Sequence, residues 1–258
     1  MGTLTFGFSP CPNDTFAFHA LAHGLVEAPF EVEPVLLDIE ELNRRARSGE
    51  LDVTKLSFGA ATRAGEHYRL LRSGAALGHG VGPLVVARAA DGPHERIAIP
   101  GLDTTAFFLL RLATPDFGEV VEMRYDEILG AVARGDVDAG LIIHESRFTY
   151  ADHGLVAVSD LGEWWEGETG LPVPLAGIYA RPELAVEEIE RAVRASVGYA
   201  FAHPEASREY VRAHSQELSE EVCRAHIELY VNEFSLDLGD EGLAAIERLT
   251  QAGTRLEA

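Results

Sequence analysis

The sequence predicts an α/β protein folded as two lobes, with a helical C-terminal part. Three observations carry this reading. Strand-like segments alternate with helical ones from Thr3 to Ala180, the order that builds α/β sheets. Two such series follow one another with neither a low-complexity linker nor an internal repeat. Two extended segments, Pro83 to Arg88 and Val173 to Arg181, share a Pro-Leu start and an Ala-Arg end, as two crossings between lobes would. The expected division is a discontinuous first lobe, 1–88 and 175–258, and a second lobe, 89–174. A ligand then sits between the lobes, outside the carboxyl ends of strands.

Each element has a local reason. Thr3 to Phe8 is β-branched and aromatic; the Ser9 to Asp14 stretch breaks it, and Thr15 to His23 reads as a helix with Asn13 or Asp14 as its N-cap. Phe30 to Leu37 alternates like a strand, and Ile39 to Ser48 is an amphipathic helix ended by Gly49. Val53 to Ser57 is a short strand, followed by a small-residue helix over Gly59 to Ala64. Tyr68 to Arg72 and Leu84 to Ala89 are strands on either side of the glycine-rich Gly74 to Pro83. The second series reads strand Arg96 to Ile99, helix Thr104 to Leu112, strand Glu119 to Arg124, helix Tyr125 to Arg134 and strand Ala139 to Ile143. Helix Glu145 to Tyr150 and strand Leu155 to Val158 complete it, and a last strand covers Leu175 to Ala180. Such alternation favours mostly parallel sheets. Beyond Glu183 the pattern is helical throughout: Val186 to Ala202, Pro204 to His214, Ser219 to Asn232 and Gly239 to Ala252.

Composition narrows the function. At 47% hydrophobic and 24% charged, the 258 residues describe an ordinary globular chain. No apolar window approaches membrane-spanning length, and Met1 to Phe8 shows neither a basic segment nor a long apolar run, so the expected location is the cytoplasm. Forty-two acidic residues against 21 basic ones give a net charge of −21, which repels nucleic acid and anionic membranes. Lys55 is the only lysine. Cys11 and Cys223 lie far apart in sequence and suggest no disulfide framework. Nothing in the pattern speaks to oligomeric state.

Four strings carry chemistry. In Ser9-Pro10-Cys11-Pro12-Asn13-Asp14-Thr15, two prolines stiffen a strand-to-helix loop. Ser9, Asn13 and the first helical amides can present hydrogen bonds to a ligand, or the string is simply a rigid turn with an Asn cap. Asp14 opposes an anion at that helix end, and spacing offers no base to activate Cys11. Thr54-Lys55-Leu56-Ser57-Phe58-Gly59 and Pro100-Gly101-Leu102-Asp103-Thr104-Thr105-Ala106 each place hydroxyls at a helix start. Facing one another across a cleft they form a carboxylate clamp; otherwise Asp103 and Thr104 merely cap a helix. In Asp138 to Arg147 an apolar strand runs up to His144 and a helix follows at once. Helix-terminal amides beside that imidazole would disfavour its charged form and keep a neutral base ready near pH 7, although a lone histidine also serves structure.

Other patterns are weaker. His19 and His23 at i, i+4 lack a third ligand, so no metal is expected. Gly78-His79-Gly80-Val81-Gly82 has neither the spacing nor the helix of a dinucleotide loop and fits a close backbone approach between lobes. Trp164 and Trp165 read as loop residues that either wall an aromatic ligand or, for at least one, pack in the core.

Taken together, SPCPNDTFAFHAL, DVTKLSFGA, the glycine run ending in GPLVVA, PGLDTTAFFLL, GLIIHESRFTY and GLPVPLAG resemble the 1,4-dihydroxy-6-naphthoate synthases of the futalosine route to menaquinone. The motifs run in family order from Ser9 to Gly177. The resemblance implies a type II periplasmic-binding-protein-like fold and a cytoplasmic carbon–carbon lyase without cofactor or metal. Its substrate is a small aromatic carboxylate, cyclic dehypoxanthinyl futalosine, from which a three-carbon fragment is released. It also implies that His144 is the proton acceptor and that Lys55, Leu56, Ser57, Thr105 and Ala106 bind substrate; geometry adds Thr104, Ser9 and Asn13. Lys55 or Arg147 is expected to relieve the negative field at the cleft. Chorismate dehydratase, a pathway neighbour of the same superfamily, is the enzyme alternative. A non-catalytic solute-binding protein is the other, disfavoured by the absence of a signal or lipobox.

Overall fold

A computed structural model of the chain describes residues 2–64, 67–92, 94–216 and 219–256; the chain-end bounds of the expected first lobe, Met1 and Ala258, lie outside them. Strand β1 (Thr3–Phe8) leads into α1 (Pro12–Ala22), β2 (Glu31–Leu36), α2 (Ile39–Ala46), β3 (Val53–Ser57), α3 (Phe58–Ala64), β4 (Arg69–Leu70) and β5 (Ala76–Gly78). Next come β6 (Leu84–Ala87), β7 (Arg96–Ile99), α4 (Thr105–Ala113), β8 (Glu119–Glu122), α5 (Ile128–Arg134), β9 (Ala139–Ile142), α6 (Ser146–Thr149), β10 (Val156–Asp160) and α7 (Leu161–Thr169). The chain returns through β11 (Val173–Ala180) and ends in α8 (Val186–Ala202), α9 (Arg208–His214), α10 (Glu220–Tyr230), α11 (Glu233–Leu236) and α12 (Gly239–Leu256). None of the described helices is long and apolar enough to cross a membrane.

Two sheets result, ordered β2-β1-β3-β11-β4, with β5 beside β11, and β10-β6-β9-β7-β8. Neither is as parallel as the alternation suggests. β1 lies parallel to β2 and β3, but β11 is antiparallel to β3, β4 and β5. In the second sheet β7 is parallel to β8 and β9, whereas β6 is antiparallel to β9 and β10. The exceptions are the two strands by which the chain enters a sheet from the other one. Leu84–Ala87, expected in the first lobe, is therefore hydrogen-bonded wholly within the second sheet, and Val173 and Pro174, expected in the second lobe, pair in the first.

The first crossing packs against the start of α7. A methyl group on Gly82 would lie 2.2 Å from the Cα and N of Gly162, so the two backbones pass with no room for a side chain. Leu161 N–H donates to Pro83 O at 3.0 Å. Arg147 bridges the same point, donating to Gly82 O at 2.5 Å and to the Asp160 carboxylate at 2.8 Å. Arg147 thus clips the crossing and is already neutralised by Asp160, which corrects its expected role as a cleft cation.

Local departures have local causes. Helix α1 starts at Pro12, with Cys11 at the N-cap, because proline at N1 has its φ preset and lacks an N–H that would be unpaired anyway. Neither Asn13 nor Asp14 caps it. Nine of its eleven residues are buried, against α8, α9 and α10, with Phe6, Phe8 and Phe18 in mutual ring contact at 5.1–5.4 Å. Helix α7, expected as loop, carries both tryptophans; Asp160 caps it by accepting from Gly162 and Glu163 N–H, and Gly170 ends it at φ 69°. Gly162 and Gly167 weaken the local helical signal there. Trp165 is fully buried and donates to Pro172 O at 3.0 Å, as core packing of one tryptophan requires.

Candidate active site

A cavity opens where both sheets, both crossings and the helical tail meet. Its walls come from the carboxyl ends of β1, β3 and β9, the N-termini of α1 and α4, the start of β11, and α10. Of the residues singled out in the sequence, Ser9, Asn13, Lys55, Ser57, Thr104, Thr105, Ala106 and His144 all line it. Leu56 does not: strand alternation turns it to the opposite face of β3, where it is fully buried in the hydrophobic core. Neither tryptophan lines the cavity.

The floor is built around Asp14. Inside the first turn of α1, its carboxylate accepts from Ser9 N–H at 3.0 Å, Ser9 Oγ at 2.7 Å and Asn13 Nδ2 at 2.9 Å. It also pairs with Lys55 Nζ, and both side chains are 3% exposed. The only lysine of a chain with net charge −21 is therefore buried in this cavity against one acid. Sequence reasoning treated Asp14 as a dipole partner of α1 and missed its donors: Ser9 and Asn13 of the same loop, and Lys55, which only the fold brings alongside on β3.

One wall joins the two sheets through α4. Thr104 caps α4, accepting from Phe107 N–H at 3.2 Å and donating to Gly101 O at 2.8 Å. Thr105 donates its hydroxyl to Leu175 O at 2.6 Å and accepts from Gly59 N–H at 3.0 Å. Its hydroxyl proton is thus committed between α4, β11 and α3, leaving the first backbone N–H groups of α4 as the donors this end can offer. Ser57 is held from behind by Asn43, which accepts from its N–H at 3.0 Å and donates to its Oγ at 3.1 Å. Beneath it, Glu40 accepts from Asp103 N–H at 3.2 Å, and burial followed by the nearby Asp103 carboxylate pushes Glu40 up to about 7.

His144 follows β9 in a left-handed backbone conformation, φ 56°, the one positive φ among the described non-glycine residues. That conformation costs roughly 1–3 kcal/mol for an L residue and turns the imidazole into the cavity within two residues of the strand end. Its Nε2 is buried with no hydrogen-bond partner among the described residues. Burial, then the charge of Lys55, lowers its pKa to about 4, with Asp14 opposing. The neutral form expected from sequence is the favoured one, but for another reason: α6 is a single turn, and desolvation is the largest cause of the shift.

Two cavity residues carried no signal in the sequence. His226 and Tyr230 come from α10 one helical turn apart, with rings 4.7 Å apart, and His226 lies 6.2 Å from the His144 ring. They fall within the helix expected over Ser219 to Asn232, whose pattern singles out neither. Cys11 is fully buried beside the cavity floor, its thiol 3.9 Å from Tyr125 Oη and held well above the usual thiol range by desolvation, which suits no nucleophile. Among the described residues no group of three or more His, Cys, Asp or Glu is arranged to hold a metal; His23 Nδ1 instead meets His19 O at 2.9 Å.

Comparison with known proteins agrees across nearly the whole chain. A family model described as menaquinone biosynthesis matches residues 4–255. A Thermus thermophilus protein named 1,4-dihydroxy-6-naphthoate synthase is 58% identical over 254 residues, spanning 96% of this chain and 93% of its own. A Streptomyces coelicolor protein of the same name is 48% identical over 257 residues, 96% of this chain and 91% of its own. Among solved structures, an Archaeoglobus fulgidus protein superposes with a TM-score of 0.94 at 39% identity, covering 99% of this chain and 98% of that one. A Candida albicans protein described as having the generic periplasmic binding protein fold gives 0.69 at 15% identity, covering 98% and 91%, which shows the fold alone.

Proposed function

This chain belongs to the menaquinone-biosynthesis family, and we propose that it converts cyclic dehypoxanthinyl futalosine to 1,4-dihydroxy-6-naphthoate as a cytoplasmic carbon–carbon lyase, with His144 as general base. The observation that carries the reading is His144 itself: an imidazole aimed into the cavity by a strained turn, held neutral by burial, its Nε2 without a partner. A base in that state is ready across the physiological range, and positioned bases of this kind contribute about 10²–10⁴-fold to rate.

Proton abstraction by His144 starts ring opening and carbon–carbon cleavage, and the aromaticity gained by the naphthalene supplies the driving force. The substrate carboxylate seats on the Ser57 hydroxyl and on the first N–H groups of α4 at Thr105 and Ala106, where the helix dipole favours a negative charge. Lys55 supports that seat electrostatically while Asp14 keeps it in place. The two sheets flanking the cavity, each with the helices packed on it, act as lobes whose approach excludes water around the reacting atoms. The test is incubation of purified protein with cyclic dehypoxanthinyl futalosine while following 1,4-dihydroxy-6-naphthoate, with His144→Ala in parallel. Product from the parent and not from the variant is the expected result. A folded His144→Ala protein with the parent's rate would remove the base assignment, and no product from the parent would remove the reaction.

A further inference from the structure

A buried neutral imidazole needs an acceptor for its N–H and a donor for its lone pair. His226 has neither: it is fully buried, and neither Nδ1 nor Nε2 has a hydrogen-bond partner among the described residues. Its neighbours are rings, with Tyr230 edge-on at 4.7 Å and Phe148 and His144 each at 6.2 Å. Two buried ring nitrogens without a protein partner cost stability, and an aliphatic side chain would fill the same place without that cost. Packing therefore gives no reason for a histidine here.

The cavity gives one. His226 lines the same space as Asn13 and His144, and each of these three residues carries buried polar atoms without a partner among the described residues: Asn13 Oδ1, His144 Nε2 and both nitrogens of His226. Resting on the function proposed above, we infer that His226 is a second substrate-contacting histidine, a neutral hydrogen-bond partner for a ring oxygen of the bound bicyclic acid. Burial keeps it uncharged, and the neighbouring His144 and Lys55 act in the same direction, so it brings an N–H without a charge. Such a donor suits a carbonyl or hydroxyl oxygen, while the carboxylate has the α4 end and Lys55. It also divides the work between the two rings: once His144 holds a proton, His226 stays neutral and remains a hydrogen-bond partner rather than a competing base.

The test uses the parent, His226→Leu and His226→Gln. Each is titrated anaerobically with 1,4-dihydroxy-6-naphthoate and with 2-naphthoate, the same bicyclic carboxylate lacking both hydroxyls; melting and turnover of cyclic dehypoxanthinyl futalosine are measured alongside. The parent should prefer the diol by about tenfold, the worth of one good hydrogen bond. His226→Leu should lose that preference, bind 2-naphthoate as the parent does, raise KM, and melt no lower than the parent. His226→Gln, which keeps a donor and an acceptor, should retain part of the preference. A Leu variant with the parent's full preference and turnover would overturn the inference and leave the functional reading intact. Leu and Gln variants that both melt far below the parent would assign His226 to structure instead. A parent that neither binds the diol nor makes it would remove the functional reading and, with it, this inference.

Discussion

Replacing Asp14 by Asn removes one charge and almost no volume, so its consequence isolates the electrostatics of the cavity floor. Four donors converge on the Asp14 carboxylate: Ser9 N–H, Ser9 Oγ, Asn13 Nδ2 and Lys55 Nζ. The introduced amide offers one oxygen where the carboxylate offered two, and its NH₂ meets donors on the other side. Lys55 is then left 3% exposed without a counter-charge. Breaking one side of such a buried pair costs about 3–5 kcal/mol. For a chain of this size that is a fall in melting temperature of roughly 6–20 °C, at about 2–4 °C per kcal/mol. Adding Lys55→Met should recover much of the loss. The methionine fills the lysine stem's volume, and the unpartnered Asn13 Oδ1 can turn to accept from the introduced amide. A double-mutant cycle over parent, Asp14→Asn, Lys55→Met and the double variant, followed by urea denaturation, should give a coupling of several kcal/mol. Additivity to within about 0.5 kcal/mol would refute the claim that Asp14 and Lys55 form one electrostatic unit.

Three further outcomes follow from the same geometry. Because burial lowers the pKa of His144 to about 4, the acid limb of kcat/KM should lie near pH 4 rather than 6.5, and Lys55→Met should move it to higher pH by removing a charge that opposes protonation; a limb at 6.5 in the parent would place the base elsewhere. Glu40, raised to about 7, contributes stability that is full below pH 4.5 and lost as pH rises through 7, so the unfolding free energy from urea denaturation should fall by about 3 kcal/mol over that window in the parent and by clearly less in Glu40→Gln. Gly82→Ala should destabilise by about 2 kcal/mol or more, since its methyl meets Gly162 backbone at 2.2 Å. Gly167→Ala, with open space and a helical position in α7, should instead gain about 0.5–1 kcal/mol, and equal melting of the two variants would contradict the crossing geometry.

The parts of this molecule that were legible in its sequence are those fixed by local physics. Strand β3 and helix α8 have the boundaries expected, because a short segment opening on β-branched Val53 and Thr54 and a 3.6-residue stripe declare themselves within their own length. Strand β5 was not legible: Ala76–Gly78 becomes a strand only by pairing with β11, nearly a hundred residues later. The same distinction holds in the cavity. Turn chemistry and strand ends located Ser9, Asn13, Ser57, Thr104, Thr105 and His144 on its wall, since the ends of strands in α/β sheets meet where ligands bind. Leu56 was misplaced by including a whole string where alternate residues face opposite ways. The ion pair of Asp14 depends on β3, which brings Lys55 beside it, and the place of His226 and Tyr230 depends on α10 packing against the cavity, so neither could be read locally.

That division explains how a binding-protein architecture can carry a base. A cleft that only binds needs hydrogen-bond donors at helix ends, and α4 provides these with residues whose own side chains are fully used: Thr104 on Gly101 O, Thr105 on Leu175 O. Those residues gain stability from the positions they hold. His144 and His226 do the reverse, one at a positive φ and both with buried ring nitrogens that no described residue partners, so each costs stability where it stands. A fold that holds both must offset them elsewhere, and the buried rings of β1 and α1 together with the fully donor-saturated Asp14 lie directly beneath the site. The cost falls on the two imidazoles, and it is recovered only when a ligand supplies the missing partners. Ligand should therefore raise the melting temperature of the parent more than that of a variant in which either histidine is replaced by an apolar residue, and equal shifts in all three proteins would show that the strain is not coupled to binding.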